Sequence, residues 1–203
     1  MGMPVTSTPT NDSVSGRRVI VGLGGGIACY KVAAVVSGLV QAGVEVTVAM
    51  TEAATRFVGP LTFEALSGRP VYTSQWEHVD SHDPQHISLA GRAEAMLVAP
   101  CTMDMLAKLA AGRADDAVCL IASAIDLTRQ PVLLAPSMNA VMWNQPSTQR
   151  NLAQLRADGF EIVEPGSGWQ ACRTEGIVRL AEPPEILAAL EGALAGRQRE
   201  VSG

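Results

Sequence analysis

An α/β fold built on a parallel sheet is what this sequence predicts, and three observations predict it. Short apolar runs of strand length alternate with segments whose apolar residues recur at helical spacing. A glycine cluster, Gly24-Gly25-Gly26, separates the first such strand from the first such helix. The unusual segments of the chain all follow strands: residues 24–27, 50–53, 100–104 and 136–143. In a parallel sheet these connections gather beyond the carboxyl ends of the strands, where ligands sit.

The elements follow in order. Arg18-Val-Ile-Val-Gly-Leu23 reads as a short buried strand, and residues 27–41 form a helix that Gly43 ends. Residues 44–49 alternate and make a second strand. Residues 95–99 and 131–135 are fully apolar, as strands covered on both faces are. Residues 160–163 make a fifth strand. Helical spacing occupies 103–111, 117–124, 147–158 and 184–194.

With 203 residues the chain suits a single domain with a sizeable core. The expected domain spans residues 18–195, between a disordered tail at 1–17 and another at 196–203. The net charge of -5 argues against a nucleic-acid partner. No apolar run reaches the roughly 20 residues that span a bilayer, and the start lacks the apolar core of a secretory signal. Cys29, Cys101, Cys119 and Cys172 show no CxxC pairing, so reduced thiols in a cytoplasmic protein are expected.

Gly22-Leu-Gly24-Gly25-Gly26 fits a phosphate-binding turn, in which glycine lets the backbone approach an anion and a helix N-terminus offers free N–H groups. A tight turn without ligand is the alternative. The dinucleotide spacing GxGxxG fails because residue 27 is Ile, so a mononucleotide is the better fit. Thr51 either donates to a phosphate or ribityl oxygen or caps the next turn. Asp104, in Pro100-Cys-Thr-Met-Asp-Met105, offers an acceptor to a ligand or caps the following helix. His78, His82 and His86 are spaced by four, but Asp83-Pro84 interrupts them, so no metal site is expected. Pro136-Ser-Met-Asn-Ala-Val-Met-Trp143 carries large apolar side chains and an amide at a strand end, where loops ordinarily carry Gly, Asp or Ser.

This last segment resembles the Pro-x-Met-Asn-x-x-Met-Trp motif of the flavin-dependent cysteine decarboxylases, which act on phosphopantothenoylcysteine or on C-terminal cysteines of peptides. The resemblance runs from about Val19 to Ala188 and is close in Pro60-Leu-Thr-Phe-Glu-Ala-Leu-Ser-Gly68. It implies a flavodoxin-like (Rossmann-type) three-layer sandwich and FMN as cofactor. The FMN contacts it implies are Gly25, Gly26, Ile27, Thr51, Ala53, Phe57, Thr102, Met103, Asp104, Met105 and Ser137. Asp104 stands where the family usually has Asn. His86, before an Ile-x-Leu helix, matches the catalytic base. Asn139, Met138 and Met142 match the substrate site, with Met138, Met142 and Trp143 as an apolar wall. Gly168-Trp-Gln-Ala-Cys172 resembles the clamp over the substrate, where Cys172 is the proton donor of a late step.

The chemistry so implied oxidises the cysteine thiol to a thioaldehyde, whose C=S lies beta to the carboxylate and accepts electrons as CO2 leaves, giving an enethiolate. Phosphopantothenoylcysteine leads narrowly as substrate. A peptide ending in cysteine follows, because Arg173 and residues 176–180 depart from the usual clamp. A flavin-binding phosphatase regulator is a third reading, set back by the lack of an acidic tail. A homotrimer or homododecamer is the assembly implied, with FMN at a subunit contact and His86 serving a neighbouring chain.

Overall fold

The computed structural model describes residues 14–76, 85–169 and 175–201. Five parallel strands form one sheet: β1 (Arg18–Leu23), β2 (Glu45–Met50), β3 (Ala95–Cys101), β4 (Val132–Pro136) and β5 (Glu161–Ile162), in the order β2-β1-β3-β4-β5. This is the flavodoxin-like order. The chain leaves β1 toward β2 on one side and returns to β3 on the other, which opens a crevice at the carboxyl ends of β1 and β3. The helices lie in two layers, so the molecule is the three-layer sandwich the resemblance implied.

The period of two in each strand divides the core. Val19, Val21, Leu23, Val46, Val48, Leu97 and Leu133 face the layer of α1 (Cys29–Gln41), α3 (Pro60–Ser67) and α9 (Pro183–Val201). Ile20, Ala49, Met96, Val98, Cys101 and Leu134 face the layer of α4 (Gln85–Arg92), α5 (Met103–Ala110), α6 (Ala117–Ser123) and α8 (Pro146–Ala157). Every residue of β3 is buried, as its apolar run requires. On the outer side of β2, Tyr72 pairs with Ala49 in a single parallel bridge.

The structure extends and corrects the sequence reading in particular places. Two short helices, α2 (Glu52–Thr55) and α7 (Ala140–Trp143), occupy segments read as loops. The clamp segment contributes an antiparallel hairpin, β6 (Gly166–Trp169) with β7 (Glu175–Arg179). The last helix was expected to end at Leu194. It runs through Val201, and so takes up residues 196–201 that composition assigned to a tail. Arg, Gln and Glu continue the helical propensity there, and no Gly or Pro after Gly196 stops it before Gly203. At the other end Val14 is buried and Arg17 bonds Glu94, so ordered structure begins before the expected boundary. Among the described residues, no helix is long and apolar enough to cross a membrane.

Glu94 ties the start of β1 to the residue before β3. Its carboxylate accepts from the Arg17 guanidinium at 2.5 Å and from the Arg18 N–H at 3.0 Å. Partial burial alone would raise its pKa, but the Arg17 and Arg18 bonds and charges lower it. A carboxylate lowered in the folded state contributes stability above its unfolded pKa of about 4.3, and that contribution is lost as pH falls through the folded value. Glu94→Gln should therefore cost about 1 kcal/mol at pH 7, discounted for partial exposure. The variant should also lose less stability than the parent on acidification below about pH 4.3, as read by urea unfolding at several pH values.

Candidate functional site

A cavity of about 690 Å³ opens at the carboxyl ends of β1 and β3, lined from five connections. Gly25 comes from the turn after β1. Thr51, Glu52, Ala53, Arg56 and Phe57 follow β2. Thr73 to Trp76 follow the Tyr72 bridge. Thr102, Asp104, Met105 and Lys108 belong to the start of α5, and Asp115 to Ala117 to the start of α6. The volume suits a drug-sized or cofactor-sized ligand.

The turn after β1 is built for close approach. A Cβ on Gly24 would lie 2.6 Å from the Pro100 carbonyl oxygen, and one on Gly25 would overlap the Ala53 side chain and lie 2.9 Å from its carbonyl carbon. Neither has positive φ, so these glycines serve space and not a left-handed turn. The Cys29 thiol donates to the Gly24 carbonyl at 3.2 Å and holds the turn from below. Burial raises the Cys29 pKa, so the thiol stays protonated as a donor. Among the described residues, the N–H groups of Gly25, Gly26, Ile27 and Ala28 meet no acceptor, and α1 has no side-chain cap. Unpaired donors at the positive end of a thirteen-residue helix suit an anion, and a phosphate first of all.

The Thr51 hydroxyl is already committed. It donates to the Leu23 carbonyl at 3.2 Å and accepts from the Ala54 N–H at 3.1 Å as the cap of α2. Of the two roles open to Thr51, the structure uses the cap. Thr51 lines the cavity but has no hydrogen left to give a phosphate. Asp104, by contrast, does not cap its helix, because Thr102 does, accepting from the Met105 N–H at 3.3 Å. Asp104 sits in the first turn of α5, its side chain 74% exposed, with a carboxylate oxygen 3.6 Å from Lys108 Nζ.

Lys108 is the centre of the far wall. Its ammonium also meets Asp116 at 3.0 Å and Asp115 at 3.3 Å. Burial alone would lower its pKa, but the hydrogen bond and charge of Asp116, with Asp115 and Asp104, raise it. Asp116 in turn caps α6 by accepting from the Cys119 N–H. One lysine thus joins α5 to the cap of α6 and fixes the connection that bounds the cavity. Sequence reasoning missed this group, although Asp104 and Lys108 stand four apart on one helix and Asp116 precedes an apolar helical run. It also missed Trp76, 81% exposed, which lines the cavity together with the half-exposed Phe57. Two uncovered aromatic rings suit a flat, partly apolar ligand.

The resemblance-derived residues separate into groups. Gly25, Thr51, Ala53, Phe57, Thr102, Asp104 and Met105 line the cavity. Gly26 and Ile27 stand beside it in the turn with their N–H groups open, while Met103 and Ser137 are not among its lining residues. Ser137 donates its N–H to the Cys101 carbonyl, which joins the ends of β3 and β4. Asn139, at the end of β4, caps α7: its Oδ1 accepts from the Met142 N–H at 2.8 Å. Thr148 and Gln149 bond the Met142 and Trp143 carbonyls, so both ends of this one-turn helix are tied. Met138 and Trp143 are partly buried and pack against the core of the α5–α8 layer. Val141 and Met142 are the exposed apolar side chains there. α7 lies against β7, so the Asn139 segment and the clamp hairpin adjoin. His86 is half-buried in the first turn of α4 and does not line the cavity of its own chain. His78, His82 and Cys172 lie outside the described residues. Among the described residues, no group of His, Cys, Asp or Glu could hold a metal ion, and Cys29, Cys101 and Cys119 are free and buried.

Comparison with known proteins agrees with this geometry. The Flavoprotein family model matches residues 7–195. The bifunctional coenzyme A biosynthesis protein CoaBC of Mycolicibacterium smegmatis is 45% identical over 170 residues, 84% of this chain and 40% of that protein. Its counterpart in Bacillus subtilis is 42% identical over 178 residues, 88% of this chain and 43% of that protein. The chain therefore spans less than half the length of the curated relatives it matches. Among solved structures, a PPC decarboxylase mutant complexed with pantothenoylaminoethenethiol superposes with a TM-score of 0.79 at 29% identity, covering 86% of this chain and 96% of that one. The FMN-dependent cysteine decarboxylase SpaF superposes with a TM-score of 0.74 at 31% identity, covering 91% and 98%.

Proposed function

Because the chain belongs to the Flavoprotein family, we propose that it is an FMN-dependent cysteine decarboxylase, with 4′-phosphopantothenoylcysteine as substrate. The observation that carries this reading is the cradle of unpaired N–H groups at residues 25–28, set beside a 690 Å³ cavity with aromatic rims at the β1–β3 crevice. Those features fit FMN: a phosphate for the helix end, a polyol for the polar lining, and a flat ring for Phe57, Met105 and Trp76. The substrate is favoured by the CoaBC relatives at 40–45% identity, above the 31% of SpaF.

When bound, FMN would supply the two-electron capacity the chemistry requires, accepting a pair of electrons from the thiol carbon and giving it back when the saturated thiol forms. The rest falls to side chains. His86 is the base that takes the thiol proton, a task suited to an imidazole near neutral pH. Asn139 holds the substrate carboxylate. Its Oδ1 is spent on the Met142 N–H, which leaves its Nδ2 donors for the substrate, the correct polarity for an anion. Val141 and Met142 exclude water beside that carboxylate and favour loss of its charge as CO2. Cys172, by resemblance, gives the proton that completes the saturated thiol. His86 lies away from its own chain's cavity, so a neighbouring copy brings it to the flavin, in a homotrimer or homododecamer. Exposed Ile27, Tyr30, Leu61 and Ile87 offer apolar surface for such contacts.

Asn139→Asp separates the cap from the carboxylate contact. Aspartate caps a helix as well as asparagine does, so α7 should persist and the melting temperature should change little. A charge facing the substrate carboxylate should raise KM by about 100-fold, read by steady-state kinetics. The substrate itself is tested by mass spectrometry of protein incubated with phosphopantothenoylcysteine or with a peptide ending in cysteine. Loss of CO2 alone from the first is expected. Loss of CO2 and two hydrogens from the peptide only would move the protein to peptide modification, with Cys172 left without a reductive role.

A further inference from the structure

The protein is acidic overall, with a net charge of -5, yet a second pocket is basic. It lies at the amino ends of β1 and β2, at the opposite end of the strands from the flavin cavity, and encloses about 200 Å³. Arg18, Arg69 and Arg92 line it with a single carboxylate, Glu45, which leaves two positive charges in excess.

Each guanidinium is placed by the fold. Arg18 and Glu45 are register partners at the first positions of two parallel strands, so their side chains leave the same face of the sheet. Arg69, just past α3, reaches Glu45 at 2.9 Å and neutralises it. Arg18 Nε stands 4.0 Å from Glu94, whose other oxygen is taken by Arg17. Arg92, in the last turn of α4, forms no ion pair among the described residues. Nor is it needed to cap α4, because the Gln130 amide already donates to the Ala90 and Ala93 carbonyls. Thr47 adds a hydroxyl to the lining. Permanently charged planar forks with spare donors match tetrahedral oxyanions, phosphate above all.

We propose that this pocket binds a compact dianion, a phosphate group carried free or as a monoester, at a site separate from the flavin cavity. The purified protein is titrated at constant ionic strength with sodium phosphate and, separately, with 4′-phosphopantetheine, by calorimetry and by amide chemical shifts. Saturable binding with shifts at Arg18, Thr47, Arg69 and Arg92 is expected, weakened about tenfold by Arg92→Gln and by Arg69→Gln. For the binding that Arg92→Gln weakens, equal affinity for the two ligands assigns inorganic phosphate, and tighter binding of the ester assigns a phosphorylated metabolite. Both variants are at exposed positions and should melt like the parent. Absence of saturable binding, or binding that Arg92→Gln leaves unchanged, overturns the site. Phosphate held only in the α1 cradle of a flavin-free preparation would be insensitive to Arg92→Gln, so failure of the flavin reading remains distinct.

Discussion

His86→Asn should lower kcat by about 10²–10⁴-fold while the protein keeps its FMN. Asparagine retains hydrogen-bonding capacity at the helix start but takes up no proton at neutral pH. His86 lies in the first turn of α4 and lines no part of its own chain's cavity, so cofactor content and visible spectrum should match the parent. Because the base is proposed to act on a neighbour's flavin, the variant also tests the assembly. Mixing His86→Asn chains with chains that lack the flavin cradle should restore activity, since a hybrid interface joins an intact His86 to an intact cradle. No recovery in a mixture shown to exchange subunits would place the base and flavin of one chain together.

Gly25→Val supplies the second partner for that mixture and should abolish FMN binding. A Cβ at residue 25 would overlap the Ala53 Cβ and press on the backbone behind it, and backbone yields little. The branched side chain would also stand where the phosphate must approach the helix end. The expected product is a colourless, folded protein that does not take up FMN on reconstitution. Far-ultraviolet circular dichroism checks that the sheet is retained. A yellow Gly25→Val protein with parental affinity would mean that the cradle is not where the phosphate binds.

Much of the scaffold was legible because β1 to β4 are short apolar runs and the helices between them keep a steady 3.6-residue period. The all-apolar β3 could only be a strand covered on both faces. The short helices were not legible for a physical reason. α2 and α7 are four residues long and owe their existence to caps, Thr51 and Asn139, more than to any apolar stripe. In α3 only Phe63 is buried, and Leu61 points to solvent, which blurs the pattern. The hairpin of β6 and β7 carries three glycines in nine described positions and shows no alternation to read.

The site divides the same way. The glycine turn and the Met-Asn segment stand out as sequence motifs because backbone approach and an amide at a strand end demand particular residues. The wall of Lys108, Asp115 and Asp116 does not, since its members look like ordinary surface charges until the fold brings α5 and α6 together. Trp76 was silent because a single aromatic in a loop has no period. Thr51 and Asp104 each had two roles open from sequence: the Thr51 hydroxyl caps α2 and bonds Leu23, and Asp104 pairs with Lys108 while Thr102 caps α5.

FMN held in this cavity is the premise of the proposed removal of CO2 from a cysteine carboxylate. It is tested most directly by measuring bound flavin and CO2 release together, on protein mixed with phosphopantothenoylcysteine. Expected are FMN in equal molar amount to the chain and CO2 released in step with substrate consumed, both lost in Gly25→Val and only the second lost in His86→Asn. A protein that neither carries nor accepts FMN, or a flavin-loaded protein that releases no CO2 from this substrate or from a peptide ending in cysteine, would contradict it.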